Sequence, residues 1–219
     1  MRKFIVVLLL ATLLTACSAT TGTPETSELT SPIEATQVST ENPTGVSALT
    51  NEVESNVDIL ANLPAATCDS GLTPAEPAGP YYKEGSPETA NLFTDGMQGT
   101  RLILAGQVLG EGCLPIPNVR LDFWQTDAEG NYDNEGYSFR GHQFTDNKGR
   151  YYLETVLPGV YSSRPIRHIH VKVQPTDGDI LTTQLYFPEQ PVNDLTLTIE
   201  DRGEYLLGYF NFVIRFGEK

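Results

Sequence analysis

The chain has 219 residues, 39% of them hydrophobic, and carries 28 Asp and Glu against 14 Lys and Arg, a formal net charge of −14 at pH 7. That balance argues against a nucleic-acid partner, since no basic stripe stands out to meet phosphates. The length supports a single domain with a real core once the N-terminal segments are set aside.

Residues 1–17 read as an export signal. Arg2 and Lys3 precede an apolar run from Phe4 to Leu14, too short for a permanent span but suited to a signal h-region. The run ends in LTAC, residues 14–17, where small residues lead to a cysteine, which looks like a bacterial lipobox. On this reading Cys17 is lipidated and the protein is exported and anchored to a membrane of the cell envelope. Residues 18–66 read as a disordered tether. They hold seven acids and no Lys or Arg among Thr, Ser, Pro and Ala, too little apolar surface to offset the entropy of ordering. As a flexible coil the segment would reach roughly 40 Å; VDILANL, 57–63, has the look of a turn of helix.

Residues 67–219 form the expected domain. Cys68 and Cys113 are the cysteines that remain, and an exported compartment permits a disulfide between them; two buried free thiols are the alternative. From residue 101, short β-prone runs alternate with turn-rich segments: 101–109, 118–126, 149–156, 167–173, 195–199 and 211–216. No long stretch has a 3.6-residue period. The pattern predicts an all-β sandwich or barrel in one domain.

Within RPIRHIHVKV, residues 164–173, Ile169, Val171 and Val173 alternate with His168, His170 and Lys172. Side chains at i and i+2 of a strand share a face, so both imidazoles project from the polar side. They form either a wet polar edge or half of a metal site. Two loop tyrosines have settings of interest. Tyr132 follows Gly130 and Asn131, which suit a tight turn, and Tyr161 lies in the Pro-Gly loop seven residues before His168.

With their surroundings these residues spell a known pattern. TPAEPAGPYY (73–82), GCLPIPNVRLDFWQTDAEGNY (112–132), FRGHQFTDNKGRYYLETVLPGVY (139–161), RHIHVKV (167–173) and LTTQLYFP (181–188) follow one another as in the intradiol ring-cleavage dioxygenases. The chain resembles that family, which includes catechol 1,2-dioxygenase and protocatechuate 3,4-dioxygenase, from about residue 67 to its C-terminus. The resemblance implies that Tyr132, Tyr161, His168 and His170 hold a non-haem Fe(III). Hard phenolate oxygens suit a hard trivalent ion, and imidazole suits iron as well. It further implies a catechol-type substrate, displacement of the axial tyrosinate, here Tyr161, and attack by O2, giving a muconate-type diacid.

Gln184 matches a family residue near the reacting carbon. An arginine usually stands three residues before the first histidine; here that position is Pro165, flanked by Arg164 and Arg167. A loop absorbs a one-residue offset more cheaply than a strand, where such a shift flips the side chain to the other face. Arg164 is therefore expected to supply the catalytic cation, with Arg167 packing or pairing at the rim. Ala78 departs from the Glu common before GPYY, and the helical dimerisation segment of catechol 1,2-dioxygenases is replaced by the expected tether. Two other readings are an iron-binding relative without dioxygenase activity and a non-catalytic β-sandwich binding module on a stalk.

Overall fold

The computed structural model describes residues 55–216, so Cys17 with its lipobox and most of the expected tether lie outside the described residues. Among the described residues, nine strands and one short helix make up the regular structure. They are α1 (Asn56–Ala61), β1 (Arg101–Gly110), β2 (Arg120–Trp124), β3 (Arg140–Phe144), β4 (Arg150–Val156), β5 (His168–Gln174), β6 (Leu181–Tyr186), β7 (Thr198–Asp201), β8 (Leu206–Tyr209) and β9 (Phe212–Ile214).

The strands form two sheets. One has the order β4-β1-β8-β7, with β9 also pairing β1; the other has the order β3-β2-β5-β6. Their inner faces share one core: Leu102, Leu104 and Val108 of β1, Leu153 of β4 and Phe212 of β9 meet Leu121 and Phe123 of β2, Val171 of β5 and Leu185 of β6. The all-β sandwich expected from alternation and turn chemistry is what the chain adopts.

Three strands lie where alternation gave no signal. In β3, Arg-Gly-His-Gln-Phe, the outer-face positions are polar or exposed, and Gly141 on the other face packs against Leu92 and Thr89 with no side chain of its own. In β6, Thr183 and Gln184 are fully buried polar residues satisfied by carbonyls of another segment, so the strand does not read as apolar-in, polar-out. β8 is four residues long, too short for a period to show. The run expected at 195–199 forms its strand slightly later, at Thr198–Asp201.

Asn56–Ala61, which composition placed in the expected tether, is helical. Ser55 caps α1, its side chain accepting from the Asp58 N–H, and Ile59 is buried with Ile103, Ala105, Tyr205 and Leu207 on the outer face of the β1 sheet. The Leu60 carbonyl accepts a hydrogen bond from Arg150 Nη1 at 2.8 Å. Composition alone placed residues 55–66 with the acidic, Thr-rich stretch; a single apolar side chain with a sheet pocket to fill overrides it. Cys68 and Cys113 are joined in a disulfide with Cα atoms 5.7 Å apart.

Candidate metal centre

The outer face of the β3-β2-β5-β6 sheet carries the polar side chains. Cross-strand register sets Arg140, Trp124, His170 and Gln184 in one row, and His168 opposite Tyr186 in the next. Ile169, Val171 and Val173 point the other way and are fully buried in the core. The two imidazoles stand on the polar face, yet they are only 3% and 2% exposed, so the solvated-edge alternative is excluded. Loops cover them.

The first cover is the segment 73–82. Thr73 N–H donates to the Val213 carbonyl and Glu76 N–H to that of Thr182; Thr183 Oγ1 and Gln184 Nε2 donate to the carbonyls of Pro74 and Pro77. The segment thus runs along β6 and delivers Gly79, Tyr81 and Tyr82 above the histidines. Tyr82 is held from below: its hydroxyl donates to Asp122 at 3.1 Å, its ring meets Trp124 edge-on, and Lys172 Nζ sits 3.3 Å from its centroid.

The second cover is made of the two tyrosine loops, which are bound to each other. Asp127 accepts backbone N–H bonds from Glu129 and Asn131 on its carboxylate, closing the turn before Tyr132. Gly159 N–H donates to the Asp127 carbonyl at 2.7 Å, and Thr126 Oγ1 to the Gly159 carbonyl at 2.8 Å. Gly130, at φ +93°, lies against the Val160 carbonyl with no room for a Cβ. The tight turn expected at Gly130 exists because two backbones meet there.

These constraints bring all four sequence-selected side chains together. Tyr132 Oη lies 3.5 Å from His168 Nε2. The Tyr132 and Tyr161 rings are 5.9 Å apart, Tyr161 and His168 6.2 Å, and His168 and His170 4.8 Å. His168 Nδ1 donates to the Ile166 carbonyl at 2.7 Å, which leaves Nε2 with a free lone pair facing Tyr132, the arrangement that orients metal-ligating imidazoles. His170 stacks on Trp124 and its buried Nδ1 has no hydrogen-bond partner. Two donors each about 2 Å from a shared ion stand roughly 3–4 Å apart, so the Tyr132–His168 separation suits a common ion.

Among the described residues no three His, Cys, Asp or Glu gather, so a metal here must draw on the phenols. Burial is the main influence on every donor. It pushes the Tyr132 and Tyr161 hydroxyls up and lowers His168 to about 4 and His170 to about 2. Without a cation all four groups are held neutral; a trivalent cation would reverse the balance at the phenols. The donor set fits such an ion.

The flanking arginines differ in setting. Arg164 faces the cluster: its charge is felt by both phenols and both imidazoles, and Nη2 donates to Tyr186 Oη at 2.9 Å. Arg167 faces away, paired with Glu189 at 2.8 Å, bonded to the Pro158 carbonyl and set over Phe187. Gln184 is fully buried beside His170.

Sequence reasoning passed over Tyr81, Arg140, Trp124 and Tyr186. Tyr81 stacks on Tyr132 at 4.2 Å between centroids. Arg140, 2% exposed, donates to the carbonyls of Tyr81 and Asp133 and lies over the Tyr132 ring. All four sit in motifs already noted, GPYY, FRGHQF, DFWQT and LTTQLYFP; their roles needed the register.

Residues 78–202 match the family model described as dioxygenase, and that stretch contains the four donors. The chain is 33% identical over 112 residues to the protocatechuate 3,4-dioxygenase beta chain of Burkholderia cepacia, covering 43% of this chain and 47% of that one. It spans about half the length of the curated relatives it matches. The dioxygenase domain of a dioxygenase carbohydrate-binding protein fusion from Streptomyces sp. SirexAA-E is 42% identical with a TM-score of 0.65, covering 67% of this chain and 99% of that one. For 3-chlorocatechol 1,2-dioxygenase of Rhodococcus opacus 1CP the values are 25% and 0.59, with 66% and 73% coverage.

Proposed function

The chain belongs to the intradiol dioxygenase family, and from that premise we propose that it is an Fe(III)-dependent enzyme that opens catechol-type rings. The ring splits between the two hydroxyl-bearing carbons, and both atoms of O2 enter the muconate-type diacid. The observation that carries this is the convergence of Tyr132, Tyr161, His168 and His170 under two loops, with the His168 Nε2 lone pair aimed at the Tyr132 hydroxyl. Iron held there would supply Lewis acidity, drawing electron density from a chelated catechol and making its ring open to O2.

The protein groups divide the remaining work. Tyr132, pinned by Tyr81 and Arg140, and Tyr161, in a more open loop, would both hold the iron, and the Tyr161 oxygen would be the one to take up a substrate hydroxyl proton. Arg164 offers a fixed positive charge to the deprotonated substrate, in a site where loops exclude water and electrostatic contacts gain strength.

The test is colour and turnover. Purified protein produced with iron should bind the metal, absorb in the visible through a tyrosinate charge-transfer band, and consume O2 with a catechol, hydroxyquinol, protocatechuate or chlorocatechol. Tyr132→Phe and His170→Ala should lose the band. Stoichiometric zinc in iron-rich preparations, with no visible band and no O2 uptake, contradicts the reading.

The location proposed is the bacterial cell envelope, with Cys17 as the lipid anchor. LTAC and the acidic, Lys- and Arg-free stretch after it support this. Cys17→Ser should release the protein from membranes or block its processing; wild-type protein found wholly in the soluble fraction would end the proposal.

A further inference from the structure

Arg164 is the charged side chain that faces the four donors, yet it lies on a loop. Its backbone N–H donates to the Tyr161 carbonyl at 2.9 Å, so Tyr161, Ser162, Ser163 and Arg164 form one tight turn. Pro165 follows it and favours extended backbone at Arg164. Neither feature fixes where a long, flexible side chain points.

A line of hydrogen bonds does. Gln184, fully buried, donates from Nε2 to the Pro77 carbonyl at 2.9 Å, which orients its amide and turns Oε1 toward Tyr186. Tyr186, 3% exposed, donates from its hydroxyl to that Oε1 at 3.4 Å and accepts there from Arg164 Nη2 at 2.9 Å. A phenol hydroxyl both donates and accepts, so Tyr186 bridges the guanidinium donor of Arg164 and the amide oxygen of Gln184. Tyr186 is also the cross-strand partner of His168, its ring 6.4 Å from the imidazole. The same residue is therefore fixed to the donor strand and to the loop cation.

We infer that Tyr186 is the positioning residue that seats Arg164, through a hydrogen bond from β6 that aims the loop guanidinium at the donor cluster. Its kinetic part rests on the dioxygenase reading; its structural part does not.

The experiment is a double-mutant cycle in the full chain with Tyr186→Phe and Arg164→Ala, read twice. In the iron-loaded enzyme Tyr186→Phe should keep the charge-transfer band and lower kcat roughly 10- to 100-fold, as a displaced cation would, with little change in KM. Adding Arg164→Ala should then cost no more than Arg164→Ala alone. Losses that multiply, or wild-type kcat in Tyr186→Phe, overturn the inference. In the metal-free protein the drops in melting temperature should likewise be less than additive, and strict additivity overturns the seat itself. A wild-type protein without colour or O2 uptake sinks the proposed function, while the melting cycle still decides the role of Tyr186.

Discussion

Gly130 meets the carbonyl of Val160 backbone to backbone, and no methyl group fits between them. This contact joins the loop before Tyr132 to the loop ending at Tyr161, so the spacing of the two phenols is set by the absence of a side chain. Gly130→Ala would add both an overlap and a left-handed φ that alanine resists. The expected cost is about 1–3 kcal/mol of stability, with iron content reduced. Denaturant melts and metal analysis on the same preparation check it; full iron loading in Gly130→Ala would show that the loops can part without harm.

The settings of Arg164 and Arg167 lead to opposite kinetic expectations. Losing a preorganised charge typically costs about 10²–10³ in kcat, so Arg164→Ala should fall by that order with iron and colour retained. Arg167 already spends its charge on Glu189 at the surface, where an exposed pair contributes roughly 0–1 kcal/mol. Arg167→Ala should lower kcat about tenfold or less. The reverse ranking in folded, iron-loaded variants would transfer the role.

Acid should destabilise the metal-free protein earlier than its carboxylates alone require. Burial lowers His168 to about 4 and His170 to about 2, with neighbouring positive charge contributing, whereas unfolded histidine titrates near 6.5. Above pH 6.5 the imidazoles are neutral in both states and contribute no slope. As pH falls below 6.5 the unfolded chain takes up protons that the folded chain refuses, so stability declines, by roughly 2 kcal/mol per histidine at pH 5. Denaturation free energies between pH 7 and 5 measure this. A His168→Gln, His170→Gln double variant should flatten that interval; an unchanged slope would assign it to other groups.

The Cys68–Cys113 bond closes a span of 45 residues that includes segment 73–82, the cover over the histidines. Chain entropy puts its contribution at about 4 kcal/mol. Cys68→Ser, or reduction of the wild type, should lower the melting temperature accordingly. Because 73–82 is also held by hydrogen bonds to β6 and β9, iron loading at low temperature should persist. Loss of iron without loss of stability would contradict that order of effects.

Local pattern was enough for much of this protein. Alternation in 167–173 put Ile169, Val171 and Val173 inside and both histidines on the opposite face, because a strand's period of two acts whatever its partners are. Turn residues marked most strand limits for the same local reason, and resemblance to a known family singled out Tyr132, Tyr161, His168 and His170 as a set. The tertiary structure decided what lies over that face. Whether an outward histidine is wet or 2% exposed depends on segment 73–82, about 90 positions away in sequence, and no period records it. It decided α1, where composition pointed to a tether and one buried Ile59 prevailed. It decided the directions of Arg164 and Arg167 as well. Adjacent long side chains look alike in sequence, and only the position of a partner hydroxyl or carboxylate, Tyr186 for one and Glu189 for the other, separates them.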